Sequence, residues 1–352
     1  MAVSSVATNT KAQLLSFSER RPRWGIALLL VTLLVIVPYF GSEYWLDAII
    51  VPLLILSLAG LGLNLLTGYT GQTSLGSGGF MAVGAFSTFL FGIHAPFIPL
   101  PLALVGAGLI AAVVGLLFGL PSSRIKGFYL MVTSLAAQFF LEWVFLNFPW
   151  FYNYSSSGTV SLPHLALFSL DIGSTAGRYY LTVTIVIVLT WVAKNLLQSH
   201  VGRSWMAIRD MDTAAAVIGI PVHRYKNLAF AISSFYLGIA GALWAFAYLG
   251  SAGIQSFGIN RSFQILFIII IGGMGSIEGN FIGAAFISLL PLALDYVVQS
   301  VFAGHVDAGL LQNVQKAIFG FLIIWFLIKE PDGIARLIRN AKERIAVWPL
   351  RF

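Results

Sequence analysis

The sequence predicts an all-α, polytopic membrane helix bundle of about ten transmembrane helices. Three observations carry that reading. Of 352 residues, 58% are hydrophobic and 9% charged, and the mean hydropathy is +0.89. A soluble domain carries about 25% charged residues, so this chain cannot cover a water-facing globule of its size and needs lipid as its solvent. Apolar runs recur along the chain, many near the ~20 residues that a helix needs to cross the hydrocarbon. Basic residues gather in alternate inter-helix segments, where a multi-pass protein places them.

The elements follow in order. Residues 1–23 form a polar tail with Lys11, Arg20, Arg21 and Arg23, read as cytosolic. The apolar run from Trp24 to Phe40 is long for a signal peptide and shows no clear cleavage site, which favours a retained first helix. A membrane domain over 24–328 then holds spans near 24–40, 46–66, 80–94, 100–120, 127–147, 179–197, 227–250, 263–274, 279–301 and 309–328. The third and eighth are short and lie beside glycine-rich stretches, so broken or re-entrant helices are expected there. Residues 148–178 read as an outer loop, and 198–226 as the most polar long inner loop. The tail 329–352 places Ile334, Leu337, Ile338, Ala341 and Ile345 on one helical face flanked by Arg336, Arg339, Lys342 and Arg344. That pattern suits a cytosolic amphipathic helix held by anionic membrane lipid.

With the N-terminus inside and strict alternation, Arg124, Lys126, Lys194, Arg203, Arg209, Arg224, Lys226 and the basic residues of both tails fall inside. Arg178 and Arg261 fall in outer loops, and Lys316 lies within the last span. Both termini are therefore placed in the cytosol. Ten spans can divide five plus five into an inverted repeat, because both halves carry a glycine-rich break, at 68–80 and at 249–258. Ten unrelated spans fit as well.

Several function classes drop out. There is no cysteine, which excludes disulfides and thiolate metal sites. The net charge of +7 sits in short inner segments and tails rather than on a nucleic-acid-binding face. No G-x-x-x-x-G-K-[ST] loop, H-E-x-x-H or G-x-S-x-G occurs, and His94, His164, His200, His223 and His305 are scattered. The chain is thus expected to be no enzyme and to need no cofactor. An ion-coupled secondary transporter would need ionisable groups near the bilayer midplane, and these are scarce.

Two patterns remain as candidate sites. From Ser204 to Gly219 the inner loop reads SWMAIRDMDTAAAVIG, with Trp205, Ile208, Ala215 and Ile218 as an apolar stripe and Gly219 with Pro221 as a stop. One or two short helices are predicted, serving either as a docking surface for a cytosolic partner or as helices lying on lipid. The glycine-rich stretches supply the second pattern: Gly71, Gln72, Ser74 and Gly76 in the first half, Gly273, Gly275 and Ser276 in the second. Irregular backbone in a membrane must be buried in protein or line a wet cavity, so these residues either border a solute path or pack helices closely. Asn64, Gln138, Glu142, Asp295, Gln312, Asn313, Gln315 and Lys316 are the polar residues within spans, and Asn64 joins the candidate path.

Three stretches carry a resemblance: GRSWMAIRDMDTAAAVIGIPVHRYKNLAFAISSFYLGIAGALWA at 202–245, GYTGQTSLGSGGFMAVGAF at 68–86 and IGGMGSIEGNFIGA at 271–284. They resemble the branched-chain amino-acid permease family of the LivM type, and Pro331-Asp332-Gly333 is also similar. Thr213-Ala214-Ala215 with Gly219 looks like a coupling-loop motif with Thr where many members have Glu. The resemblance implies a permease subunit of an ATP-binding-cassette importer. Its implied partners are a homologous second permease subunit, two cytosolic ATP-binding subunits and a periplasmic solute-binding protein. It also implies that Arg203, Arg209, Asp212, Ala215 and Gly219 meet an ATP-binding subunit. Branched-chain amino acids are the expected solute; urea, amides and aromatic acids are served by similar permeases.

Overall fold

The computed structural model describes residues 43–95, 97–122, 127–161 and 174–302, with shorter pieces between 313 and 340. The expected N-terminal tail, the first span, Arg124, Lys126, Gln312, Gln315, Lys316 and most of the C-terminal tail lie outside the described residues. Those described contain eight helices long and apolar enough to cross a membrane.

The first is α1 (Trp45–Thr70), whose opening six residues are wound as a π-helix. Leu and Ile cover every face of it, so it is stable only when surrounded, and 89% of its most apolar window is inside the bundle. Then come α2 (Ser77–His94), α3 (Leu100–Ser122) and α4 (Phe128–Asn147). A short strand β1 (Thr159–Ser161) precedes α5 (Thr175–Gln198), α6 (His200–Asp210) and α7 (Asp212–Val217). The long α8 (Val222–Leu249) leads to β2 (Ser251–Gly253), a 3-10 turn at Ile254–Phe257, α9 (Ile259–Gly272) and α10 (Ile277–Phe302).

Burial divides these helices into an axis and a rim. Helix α8 is 83% buried in its most apolar window, whereas α3, α4, α5, α9 and α10 are 28–39% buried in theirs. The axis is α1 and α8, and the rim faces lipid or another chain. Small residues let the axis close: Gly62 of α1 lies against Tyr236 of α8, and Gly84 of α2 meets the Gly238 carbonyl so closely that a methyl group there would collide.

Both long axial helices end in a left-handed glycine, Gly71 at φ 71° and Gly250 at φ 70°. At the first, the Gly71 N–H donates to Thr67 O and the Gln72 N–H to Leu66 O, each at 3.2 Å, which satisfies carbonyls that a simple helix end leaves bare. An irregular segment and a shorter helix follow in each case. The breaks expected at 68–80 and 249–258 are present.

The bundle has two distinguishable ends. At one, β1 pairs antiparallel with β2 in the register Val160↔Ala252, and Thr175 donates to Asp47 at 3.0 Å. This ribbon adds a small strand pair to a fold otherwise made of helices. At the other end lie α6, α7, the Gly273–Gly275 turn and Gly333, where a side-chain Cβ would collide with the Gly273 backbone. Ile334 packs on the core beside that turn, so the start of the C-terminal tail is docked on protein.

The eighth span differs from its expected limits. Hydropathy placed it at 263–274 and left Arg261 in an outer loop, yet the helix begins at Ile259 and Arg261 lies inside the span. Asn260, Arg261 and Ser262 depress hydropathy, but Ser262 and Arg261 find hydrogen-bond partners within the bundle, so the helix continues through them.

Candidate functional site

Helix α6 starts where the Ser199 hydroxyl accepts the Val201 N–H at 3.2 Å, a side-chain N-cap. Trp205 is fully buried and its indole N–H donates to Tyr225 O at 3.0 Å, which bolts α6 to the first turn of α8. Met211, extended at φ −159°, stops α6, and α7 begins at once. The Ile220 N–H donates back to Ala215 O at 3.0 Å, and Gly219 closes the turn at φ 88°.

The two short helices appear as expected; the single apolar stripe through both does not. Trp205, Ile208 and Ala215 are buried, whereas Ile218 is 73% exposed. The extended Met211 interrupts the helical phase, so Val217 and Ile218 no longer share the buried face that α6 presents. Met211, Val217 and Ile218 consequently form an apolar tip in solvent, with Val217 88% exposed.

Polar contacts fasten the underside of this pair to the end of α1. Arg209 Nη1 donates to Gly68 O at 3.1 Å, while its Nε and Nη2 both donate to Asp210 Oδ1 at 3.0 Å. Lys226 Nζ lies 3.4 Å from Asp212 Oδ2, and Gln72 Nε2 donates to Lys226 O at 3.4 Å. Between these groups is a cleft of about 350 Å³ lined by Thr70, Gly71, Gln72, Leu130, Arg209 and Lys226 among others. Arg203 donates to Gln198 O at 3.0 Å from an exposed position.

The candidate path residues separate into three places. Gly71, Gln72 and Gly275 join the α6–α7 end, Gly71 and Gly275 both lying against the Arg209 side chain. Asn64, Gly273 and Ser276 hold the α9–α10 turn: Asn64 Oδ1 accepts the Gly275 N–H at 2.8 Å and its Nδ2 donates to Ser276 O at 2.9 Å. Ser74 and Gly76 belong to the first break, where the Ser74 hydroxyl accepts the Gly76 N–H at 3.3 Å and Gly76 lies against Ser134 O.

The residue that joins the two breaks is Gln138, fully buried on α4. Its Oε1 accepts the Gly79 N–H and, at 3.2 Å, the Ser262 hydroxyl; its Nε2 donates to Phe257 O at 2.9 Å. Ser262 Oγ also accepts the Gly78 N–H at 2.8 Å, and Ser134, one turn before Gln138, accepts the Leu75 N–H at 2.8 Å. Gln138 stood out in the sequence as a polar residue in a span, but its partners lie 59, 119 and 124 residues away and nothing local connects them. The signal was the i, i+4 pair Ser134 and Gln138 on one helical face.

A family model described as branched-chain amino acid transport system / permease component matches residues 45–327. The chain belongs to this permease family. The permease is 29% identical over 338 residues to the high-affinity branched-chain amino acid transport system permease protein LivM of Escherichia coli (strain K12), covering 89% of this chain and 75% of that relative. LivM of Salmonella typhimurium is 28% identical over the same shares. A probable branched-chain amino acid transport permease protein LivM of Methanocaldococcus jannaschii is 24% identical over 79% of this chain and 89% of its own length. No solved structure matches. Among the described residues of the permease no group of three or more His, Cys, Asp or Glu is placed to hold a metal ion.

Proposed function

We propose that this permease is one of two homologous translocation subunits of an ATP-driven importer in a bacterial inner membrane. Two cytosolic ATP-binding subunits and a periplasmic solute-binding protein complete the complex, and the solute is a branched-chain amino acid. The observation that carries the reading is the two-sided character of α6–α7. One side is anchored to α1 and α8 through Arg209, Trp205 and Asp212; the other offers Met211, Val217 and Ile218 to solvent. Bare apolar side chains at a helix tip are what a partner groove removes from water.

In this reading Val217 and Ile218, with Thr213 and Gly219, enter the ATP-binding subunit. Arg209, Asp212 and Ala215 hold α7 in place from below. ATP-driven closure of the partners moves the pair, and the bundle passes solute along its interface with the sister permease. The relatives' names support the choice of solute.

The test is Val217→Asp combined with Ile218→Asp. Both side chains are in open solvent, so membrane insertion and thermal stability stay unchanged. Uptake into cells or proteoliposomes falls more than about tenfold, the effect of losing an interface hot spot. Uptake at the wild-type rate would remove α7 from the coupling role.

A further inference from the structure

Arg261 is a cation that no described residue of the transmembrane region neutralises. Its guanidinium lies 4.0 Å from the centroid of the Trp244 ring, its Nε donates to Ser256 O at 3.3 Å, and its Nη1 donates to Gln264 Oε1 at 2.6 Å. All three partners are neutral, and among the described residues no carboxylate lies within ion-pair distance of it. Its depth follows from its neighbour: Ser262 is bonded to Gln138, at the midpoint of the 20-residue α4. Arg261 also lies 11 residues before Gly272, about 16 Å of helix and roughly half the hydrocarbon thickness. From there the head group reaches toward Trp244, in the last turns of α8.

A cation at that depth is strongly disfavoured against lipid and in known membrane proteins faces the bundle interior, a partner or a solute route. The site is built from aromatic rings, and its edge is exposed at Tyr248. Trp244 is 5% exposed and lies against the guanidinium, while Tyr248, its ring tilted 58° to that of Trp244 at 4.7 Å, is 38% exposed. The Trp244 indole N–H is buried without an acceptor, a second donor in the ring that the guanidinium covers. A flat cation backed by aromatic rings, with donors to spare, matches a carboxylate joined to an apolar body.

We propose that Arg261, presented by Trp244 at the second break, receives the carboxylate of the transported solute. This rests on the reading of the chain as an importer permease and narrows its solute class. Amino acids with apolar side chains and aromatic acids satisfy the site; urea and simple amides, which carry no anion, do not.

The test uses the assembled complex in phosphatidylcholine nanodiscs, labelled with 5-fluorotryptophan, with Trp244→Phe assigning the Trp244 fluorine resonance. L-leucine or phenylacetate shifts that resonance, while leucinamide and phenylacetamide do not. Arg261→Gln raises the half-saturating carboxylate concentration at least about tenfold, as loss of a charge-assisted contact should, and Arg261→Lys recovers part of the response. Equal shifts by the amides, no shift by either carboxylate, or an unchanged response in Arg261→Gln overturns the assignment. A response that tracks added phosphatidylglycerol instead also overturns it, since the guanidinium then holds lipid phosphate. ATP hydrolysis by the same wild-type complex is measured in parallel. Its absence sinks the importer reading, whereas hydrolysis with an insensitive Arg261 sinks this assignment alone.

Discussion

The α6–α7 end and the mid-depth junction of the two breaks use hydrogen bonds in opposite ways. At the end, Arg209, Asp210, Asp212 and Lys226 hold one another around a cleft that water can enter. At the junction, Gln138, Ser262 and Ser134 bind main-chain groups of Gly78, Gly79, Leu75 and Phe257, and Ser134, Gln138 and Ser262 are at most 3% exposed. A bond broken at the first site is replaced by water at little loss. A bond broken at the second leaves a donor or acceptor with no substitute. Beyond the buried Trp205 bolt, the part expected to move is thus fastened at Arg209 and Asp210 by contacts that water can replace, and the part that must stay in register is fastened by contacts that have no alternative.

The contrast is sharpest at Gln138. Replacing it by Leu strands the Gly79 N–H and the Phe257 carbonyl, each at about 1–3 kcal/mol. Gln138→Leu should therefore lower the thermal unfolding temperature in detergent markedly and reduce the yield of folded protein; unchanged stability would erase the distinction between the two regions. Arg209→Ala comes next. It frees Gly68 O and Asp210 in a wet cleft, so stability should fall by about 1 kcal/mol or less, while ATP-driven uptake drops because α7 loses its seat. A stability loss as large as that of Gln138→Leu would place Arg209 in the junction's class. The smallest effect belongs to Asp210→Asn. Its side chain is 68% exposed, so the change should move stability by under about 0.5 kcal/mol and leave uptake near wild type. A larger effect would mean that Asp210 meets another chain.

Much of the fold was legible because lipid enforces it. The apolar runs gave the spans within a few residues at α1, α2, α3, α4, α5, α8 and α10, and the cluster Arg209, Asp210 and Asp212 could stand only outside the hydrocarbon. The failures have one origin, a polar group satisfied from afar. Arg261 and Ser262 looked like loop residues because their partners Trp244, Gln264 and Gln138 are brought to them by folding. The break at Met211 was hidden because Ala214 to Ala216 favour helix on either phase, so sequence alone kept Ile218 in line with Trp205. Ala215 and the exposed tip were thereby assigned to one surface when the chain turns them to two.

The bolt between Trp205 and Tyr225 has a mechanical consequence. It fixes α6 to the first turn of a rod of 28 residues, about 42 Å long. A swing of about 5° imposed at that foot would carry the opposite tip, beyond Trp244, sideways by about 4 Å over such a length. Spin labels on that tip would register the sweep during turnover. Small strokes below would then pull the indole away from the guanidinium of Arg261, so that motion applied at the foot of the rod would loosen the proposed carboxylate contact at mid-depth.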